Sequence, residues 1–251
     1  MIKMIVVDLD DTLLRTDKTI SAYTKEVLQK VREKGVKTAF ATARGAISIE
    51  RFIPLELFDA RINMSGACAF IDNECVYDRT IAPALMEPFL QKLTELGLAA
   101  AAEIDSVHYA NFDVYEKWPY IHDFQISDFS CLPGNAYKLY AVIKDPQQVE
   151  TITPLIAKEL YFVVSKDNLL MVMHKEATKM NAIDAVAKVC GIARSEIAAF
   201  GDDILDIEML SLCGTGIAME NALDEVKQVA DYICPSNDED GVAKWLDEHL
   251  L

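Results

Sequence analysis

The sequence predicts an α/β protein whose parallel-sheet core is interrupted by an inserted α+β domain. Three observations predict this. Apolar strands alternate with amphipathic helices over the first quarter of the chain. The same alternation returns after residue 175 and continues to the end. Between the two, residues 83–175 carry closely spaced strand-like runs, the mark of antiparallel hairpins. The core is therefore expected to be discontinuous, 1–82 with 176–251, around an insert at 83–175.

The elements follow in order. Lys3-Met4-Ile5-Val6-Val7 is a continuous apolar run, as expected of a strand buried on both faces. Ser21 can cap a helix that runs to about residue 34, with Val27, Leu28 and Val31 as its apolar stripe and Gly35 as its stop. A second strand is expected over 36–41, a helix over 46–52 that stops before Pro54, and a third strand over 60–64 leading into Ser65-Gly66-Ala67. The insert reads as helices at 83–96 and 146–160 with strands at 99–103, 107–111, 137–143, 161–165 and 169–173. The core resumes with a helix at 178–190 ended by Gly191, a strand at 197–200, an acidic loop, a helix, a short strand at 216–219, another helix and Asp231-Tyr232-Ile233.

Composition narrows the function. The chain has 251 residues, 51% of them apolar, enough for two small domains with their own cores. A net charge of −16 disfavours nucleic acid and anionic membrane as partners. It also means that an anionic substrate needs a local cation. No apolar run spans a bilayer, and the start, Met-Ile-Lys-Met, lacks a signal-peptide pattern; a cytoplasmic protein is expected. The six cysteines form no Cys-x-x-Cys pair and are expected to be free thiols, mostly buried. Four scattered histidines give no zinc pattern.

Four features fall where core strands end or core helices begin: Asp8 and Asp10, Thr42, Lys179, and Gly201-Asp202-Asp203-Ile204-Leu205-Asp206. Each taken alone has an ordinary structural use as a cap, a solvated helix residue or a helix-start acid. Together, on a parallel sheet, the strand-end features share one edge, where ligands of open α/β sheets bind. Every residue type also has a use in phosphoryl transfer. A carboxylate can be the nucleophile, and a second one two residues on can move the proton. A hydroxyl and an ammonium can hold the phosphoryl oxygens, and further acids can complete a site for Mg2+, a hard cation that prefers oxygen.

In this set the chain resembles the haloacid dehalogenase superfamily, and within it the Cof-type sugar phosphatases. The matching residues are Asp8-Leu9-Asp10-Asp11-Thr12-Leu13-Leu14, Ala41-Thr42-Ala43-Arg44, Lys179 and Gly201 through Leu210, with support from Gly216-Ile217-Ala218-Met219-Glu220-Asn221-Ala222 and Asn237-Asp238-Glu239-Asp240-Gly241-Val242. The resemblance implies a Rossmann-like core and makes the insert a cap domain. It implies a Mg2+-dependent phosphatase acting on a small phosphorylated metabolite. Asp8 would be nucleophile and metal ligand, and Asp10 general acid/base with its backbone carbonyl on the metal. Thr42 and the amides of Leu9 and Ala43 would hold the phosphoryl group. Lys179 would neutralise it, Asp202 would ligate the metal, and Asp206 would act directly or through water. A phosphomutase on the same scaffold and a weakly active ligand-binding homologue are the alternatives; dehalogenase chemistry and a receiver domain fit the acidic loop and the motif order less well.

Three positions depart from that pattern. Ala43 stands where glycine is usual, Leu205 where asparagine is usual, and Ser65 where asparagine is frequent. Leucine cannot hydrogen-bond through its side chain, whereas serine can still bond locally. In the insert, Tyr109, Phe112, Tyr115, Trp118, Tyr120, Phe124 and Phe129 are expected mainly to form its own core, with His108, Glu116 and His122 as polar candidates for ligand contact.

Overall fold

The computed structural model describes residues 1–251 apart from 46–48, 50, 120, 122, 166 and 167. The helix expected over 46–52, and the candidates Tyr120 and His122, lie wholly or largely outside the described residues. The chain divides into two compact units, Met1–Asp78 with Thr178–Leu251, and Arg79–Ala177. Among the described residues no helix is long and apolar enough to cross a membrane.

The first unit opens with β1 (Met4–Val7), α1 (Ala22–Glu33), β2 (Lys37–Ala41), β3 (Ala60–Asn63), β4 (Cys68–Ile71) and β5 (Glu74–Asp78). All four β1 side chains are buried, each contributing on the order of 2 kcal/mol by leaving water. Helix α1 begins where expected: the Ser21 hydroxyl accepts the Thr24 amide at 2.9 Å, and Val27, Leu28 and Val31 face the core. After β3 the backbone of Met64, Ser65 and Gly66 is left-handed throughout, with φ of 52°, 56° and 96°. The hairpin of β4 and β5 is absent from the sequence reading. Its signal was Asp72-Asn73, which takes φ of 48° and 68° in a two-residue turn that pairs Ile71 with Glu74.

The second unit contains α2 (Pro83–Glu95), β6 (Ala100–Ile104), β7 (Val107–Ala110), α3 (Val114–Lys117), β8 (Phe124–Ile126), β9 (Lys138–Val142), α4 (Pro146–Ile152), β10 (Leu160–Val164) and β11 (Leu169–His174). Among the described residues its sheet has six strands in the order β10-β11-β9-β6-β7-β8, antiparallel except for β7 with β8. The helix expected over 146–160 ends at Ile152 and gives way to one 3-10 turn, Thr153–Leu155. Pro154 is the reason, since it has no N–H to return to the preceding turn. Phe129 and Tyr109 pack in this unit's main apolar cluster, and Phe112, Trp118 and Phe124 in a smaller one with Tyr140. Tyr115 is exposed.

The chain then rejoins the first unit through α5 (Lys179–Cys190), β12 (Ile197–Gly201), α6 (Ile207–Leu212), β13 (Thr215–Met219), α7 (Asp224–Val229), β14 (Tyr232–Cys234) and α8 (Gly241–Leu250). The protein is α/β: among the described residues the core sheet has eight strands in the order β14-β13-β12-β1-β2-β3-β4-β5. Every pair from β14 to β3 is parallel, and β4 and β5 add an antiparallel edge. The order reverses at β1, which has β2 on one side and β12 on the other. Such a switch point opens a crevice at the carboxyl ends of the strands. Register makes those ends level, because Val7 pairs with both Phe40 and Phe200. The six cysteines are free thiols; Cys68, Cys213 and Cys234 are buried, whereas Cys75 and Cys131 are exposed, on the edge strand β5 and in a loop.

Gly66 makes room for the returning chain. A Cβ there would sit inside contact distance of the Thr178 carbonyl and the Lys179 amide, and its φ of +96° already disfavours any other residue. Gly66→Ala is expected to cost at least ~2 kcal/mol of stability, read from the urea midpoint. An unchanged midpoint would contradict this packing.

Candidate active site

Asp8 extends β1 by one residue. Its amide donates to the Phe200 carbonyl at 3.0 Å, and the chain then turns, with Leu13 N–H on the Asp8 carbonyl, Leu14 N–H on the Leu9 carbonyl at 2.8 Å, and Asp11 at φ +59°. Asp202 follows β12 directly. Asp206 ends the 3-10 turn Ile204–Asp206 and folds back, so that its Oδ2 accepts the amides of Asp202 at 3.0 Å and Asp203 at 3.1 Å. Gly201 permits this, because any Cβ there would collide with the Asp206 carboxylate. Lys179 is the first residue of α5, whose N-terminus is capped by the Thr178 hydroxyl accepting from Asn181 N–H. Its Nζ donates to Asp8 Oδ1 and to Asp206 Oδ1, both at 2.6 Å.

Asp8, Asp202 and Asp206 thus converge, all three buried, each with an oxygen within 4.8 Å of the others. One ammonium faces three carboxylates. Burial pushes the Asp8 carboxyl well above the ordinary carboxylate range; Asp206 and Asp202 add to this, and Lys179 opposes it. Asp202 is pushed up to about 7, first by burial and then by the Asp206 charge, against the Thr12 hydrogen bond. Burial would pull the Lys179 ammonium down, but Asp206 and Asp8 outweigh it and hold it above its ordinary value. A cluster of hard oxygen donors with too little positive charge suits a divalent cation.

The other expected residues surround this cluster differently. The Asp10 side chain is not part of it. It is held by Arg44, with Nε on Oδ2 at 2.6 Å and Nη2 on Oδ1 at 2.7 Å, and by Lys18 Nζ at 3.0 Å. Burial would raise the Asp10 carboxyl, but Arg44 and Lys18 prevail and hold it below its usual value. Thr42 is buried at the end of β2; its amide donates to the Ile62 carbonyl and its hydroxyl accepts the Arg44 amide at 3.2 Å. Ala43 is half-buried and Leu9 fully buried. The Ser65 amide donates to the Thr42 carbonyl at 2.9 Å. The local bond expected of the Ser65 side chain is not made: its hydroxyl is buried and has no partner among the described residues.

Thr12 and Arg44 lie within the motif segments, but the sequence alone assigns them no role. Thr12 Oγ1 donates to Asp202 Oδ1 at 2.8 Å, and so ties the first acidic loop to the second. Their partners lie 190 and 34 positions away, beyond the reach of any local pattern.

A family model described as haloacid dehalogenase-like hydrolase matches residues 5–246. The chain belongs to that family, and several of its relatives are named phosphatases. The 5-amino-6-(5-phospho-D-ribitylamino)uracil phosphatase YcsE of Bacillus subtilis is 28% identical, over 100% of this chain and 96% of its own. The phosphatase YwpJ of the same organism is 25% identical, over 99% and 100%. Among solved structures, the phosphatase BT1666 of Bacteroides thetaiotaomicron superposes with a TM-score of 0.88 at 25% identity, over 99% of this chain and 95% of that one.

A carboxyl with a folded pKa raised to about 7 weakens the fold above that pH. The penalty fades as pH falls from there toward the unfolded value of ~3.9. Asp202→Asn, which keeps an oxygen for Thr12, is therefore expected to raise metal-free stability at pH 8 by on the order of 2 kcal/mol. It should have little effect at pH 4, and it should abolish most of the gain in melting temperature on adding a divalent cation. A lower metal-free melting temperature at pH 8 would contradict the electrostatic reading.

Proposed function

We propose that this protein is a Mg2+-dependent phosphatase that hydrolyses small phosphomonoesters, phosphosugars and related polyol phosphates foremost, through a phospho-aspartate at Asp8. The observation that carries the proposal is the convergence of Asp8, Asp202, Asp206 and Lys179 at the level ends of β1 and β12. The polyol reading draws on YcsE, whose named substrate carries its phosphate on a ribityl chain.

In this reading Asp8 attacks phosphorus in line with the departing oxygen. Lys179 on Oδ1 fixes the carboxylate, so that its attack needs no side-chain rearrangement. The Thr42 hydroxyl and the amides of Leu9 and Ala43 receive the phosphoryl oxygens as charge builds on them. Asp10 gives a proton to the leaving oxygen, then takes one from the water that releases phosphate from Asp8. Arg44 and Lys18 favour its ionised form, which suits the second step; the first step requires Asp10 to take up a proton and so to give up part of this pairing. Asp8 and Asp202, with Asp206 and the Asp10 carbonyl, are the groups that would hold Mg2+. When bound, the ion supplies the positive charge that the cluster lacks. The inserted unit serves as the cap that selects the leaving group.

Leu205 supports a second reading, a weakly active ligand-binding relative, because leucine cannot supply the usual amide. The two separate by experiment. Phosphate release from a panel of sugar and polyol phosphates is expected to require Mg2+ and to stop with EDTA. It should fall by about 10²–10⁴-fold in Asp10→Asn and vanish in Asp8→Asn. Turnover persisting in Asp8→Asn would remove the assigned nucleophile. Ligand binding with no turnover of any ester would favour the binder, and an isomeric sugar phosphate without free phosphate would favour a mutase. Leu205→Asn is expected to raise kcat if the missing amide limits the rate; an unchanged or lower kcat would show that it does not.

A further inference from the structure

The two loops that bring Asp8 and Asp202 together are both anionic and come from opposite ends of the chain. Their mutual repulsion favours separation, so something must fix the gap between them. Lys179 bridges it between Asp8 and Asp206, and Thr12 spans it directly on Asp202. A further connection lies outside these and consists of two asparagines. Asn221 follows β13 and Asn237 follows β14, so both stand at the sheet edge that carries Asp8 and Asp202.

Asn221 Nδ2 donates to the Asp11 carbonyl at 2.7 Å, and its Oδ1 accepts the Asn237 amide at 3.1 Å. Asn237, buried, donates through Nδ2 to the Leu14 carbonyl at 2.9 Å. The two side chains thus hold the middle and the far end of the loop that carries Asp8 and Asp10, and they are joined to each other. The same segment reaches the other acidic loop, because the Leu223 amide donates to the Asp202 carbonyl at 3.1 Å. Outside these contacts, Arg15 pairs with Asp240 at 2.6 Å and Thr16 bonds Asp238 at 2.8 Å, continuing the seam. Asn221 uses the donor and the acceptor of one short amide at once. Aspartate would lack the donor, and serine would be too short to span the two groups.

We propose that Asn221 and Asn237 are positioning residues, a clamp that sets the spacing of the Asp8 and Asp202 loops before a cation binds. The inference rests on the reading of Asp8, Asp202 and Asp206 as a cation site. Asn221 is exposed, so its loss disturbs no core. The cost should appear in cation affinity, because the binding energy must then also close the gap between the loops.

The test is isothermal titration of MgCl2 into the full-length metal-free protein, with unfolding midpoints measured on the same samples. Asn221→Ala, which removes both bonds, is expected to weaken Mg2+ binding roughly fivefold to tenfold, the equivalent of the one bond that reaches the Asp11 carbonyl, while the metal-free midpoint stays at the wild-type value. Asn221→Asp, which keeps the acceptor and loses the donor, should bind Mg2+ no better than Asn221→Ala. Unchanged Mg2+ affinity in Asn221→Ala overturns the clamp, and so does a lower midpoint with unchanged affinity, the mark of a purely structural role. Wild-type protein that binds no Mg2+ overturns the cation site itself, and the clamp with it.

Discussion

Three carboxylates and one ammonium share a space that water hardly enters, and the organisation of the core follows from that. Asp8, Asp202 and Asp206 would repel one another strongly in any medium less polar than water. Lys179 compensates part of this charge with two short bonds. The remainder is borne by backbone amides on Asp206, by the Thr12 hydroxyl on Asp202, and by raised affinity for protons at Asp8 and Asp202. A site under this tension is ready to accept positive charge. On the proposed reading, the cation and the phosphoryl group arrive together as partners of a constellation that is incomplete without them.

The sheet makes the tension possible. β1 lies between β2 and β12 in level register, so Asp8, Thr42 and Asp202 leave the sheet at one edge although they are far apart in sequence. The chain departs for an insert of about a hundred residues after β5 and returns at α5 in time to deliver Lys179. Gly66 shows how closely that return is fitted, since the Thr178 backbone occupies the volume that a side chain would need. Insertion at this point costs the core little, because loop-closure entropy grows only slowly with length.

Much of this was legible before any coordinates. β1 is a pure apolar run, α1 has a serine cap and a clear stripe, and α5 ends on Gly191 in the left-handed conformation that glycine allows. The acids at 8, 202 and 206 and the amine at 179 were legible as chemistry because each sits where an element starts or stops. What stayed hidden depended on distant partners or on weak local patterning. The β4–β5 hairpin carries little alternation, and its turn is Asp-Asn rather than the Asn-Gly or Asp-Gly that marks hairpins most strongly. Pro154 shortened a helix whose apolar spacing continued past it. The pairing of Asp10 with Arg44, of Thr12 with Asp202, and of Asn221 with the Asp11 carbonyl joins residues that no window along the chain holds together. The Ser65 hydroxyl, without a partner among the described residues, sits on a left-handed turn that serine rarely adopts.

If the acids at the ends of β1 and β12 share a single cation, crystals of the protein grown with Mn2+ in place of Mg2+ and measured at the manganese absorption edge will show it. One anomalous peak is expected, bonded to carboxylate oxygens of both Asp8 and Asp202. A map with no peak there, or with manganese bound only elsewhere on the acidic surface, would contradict the shared site.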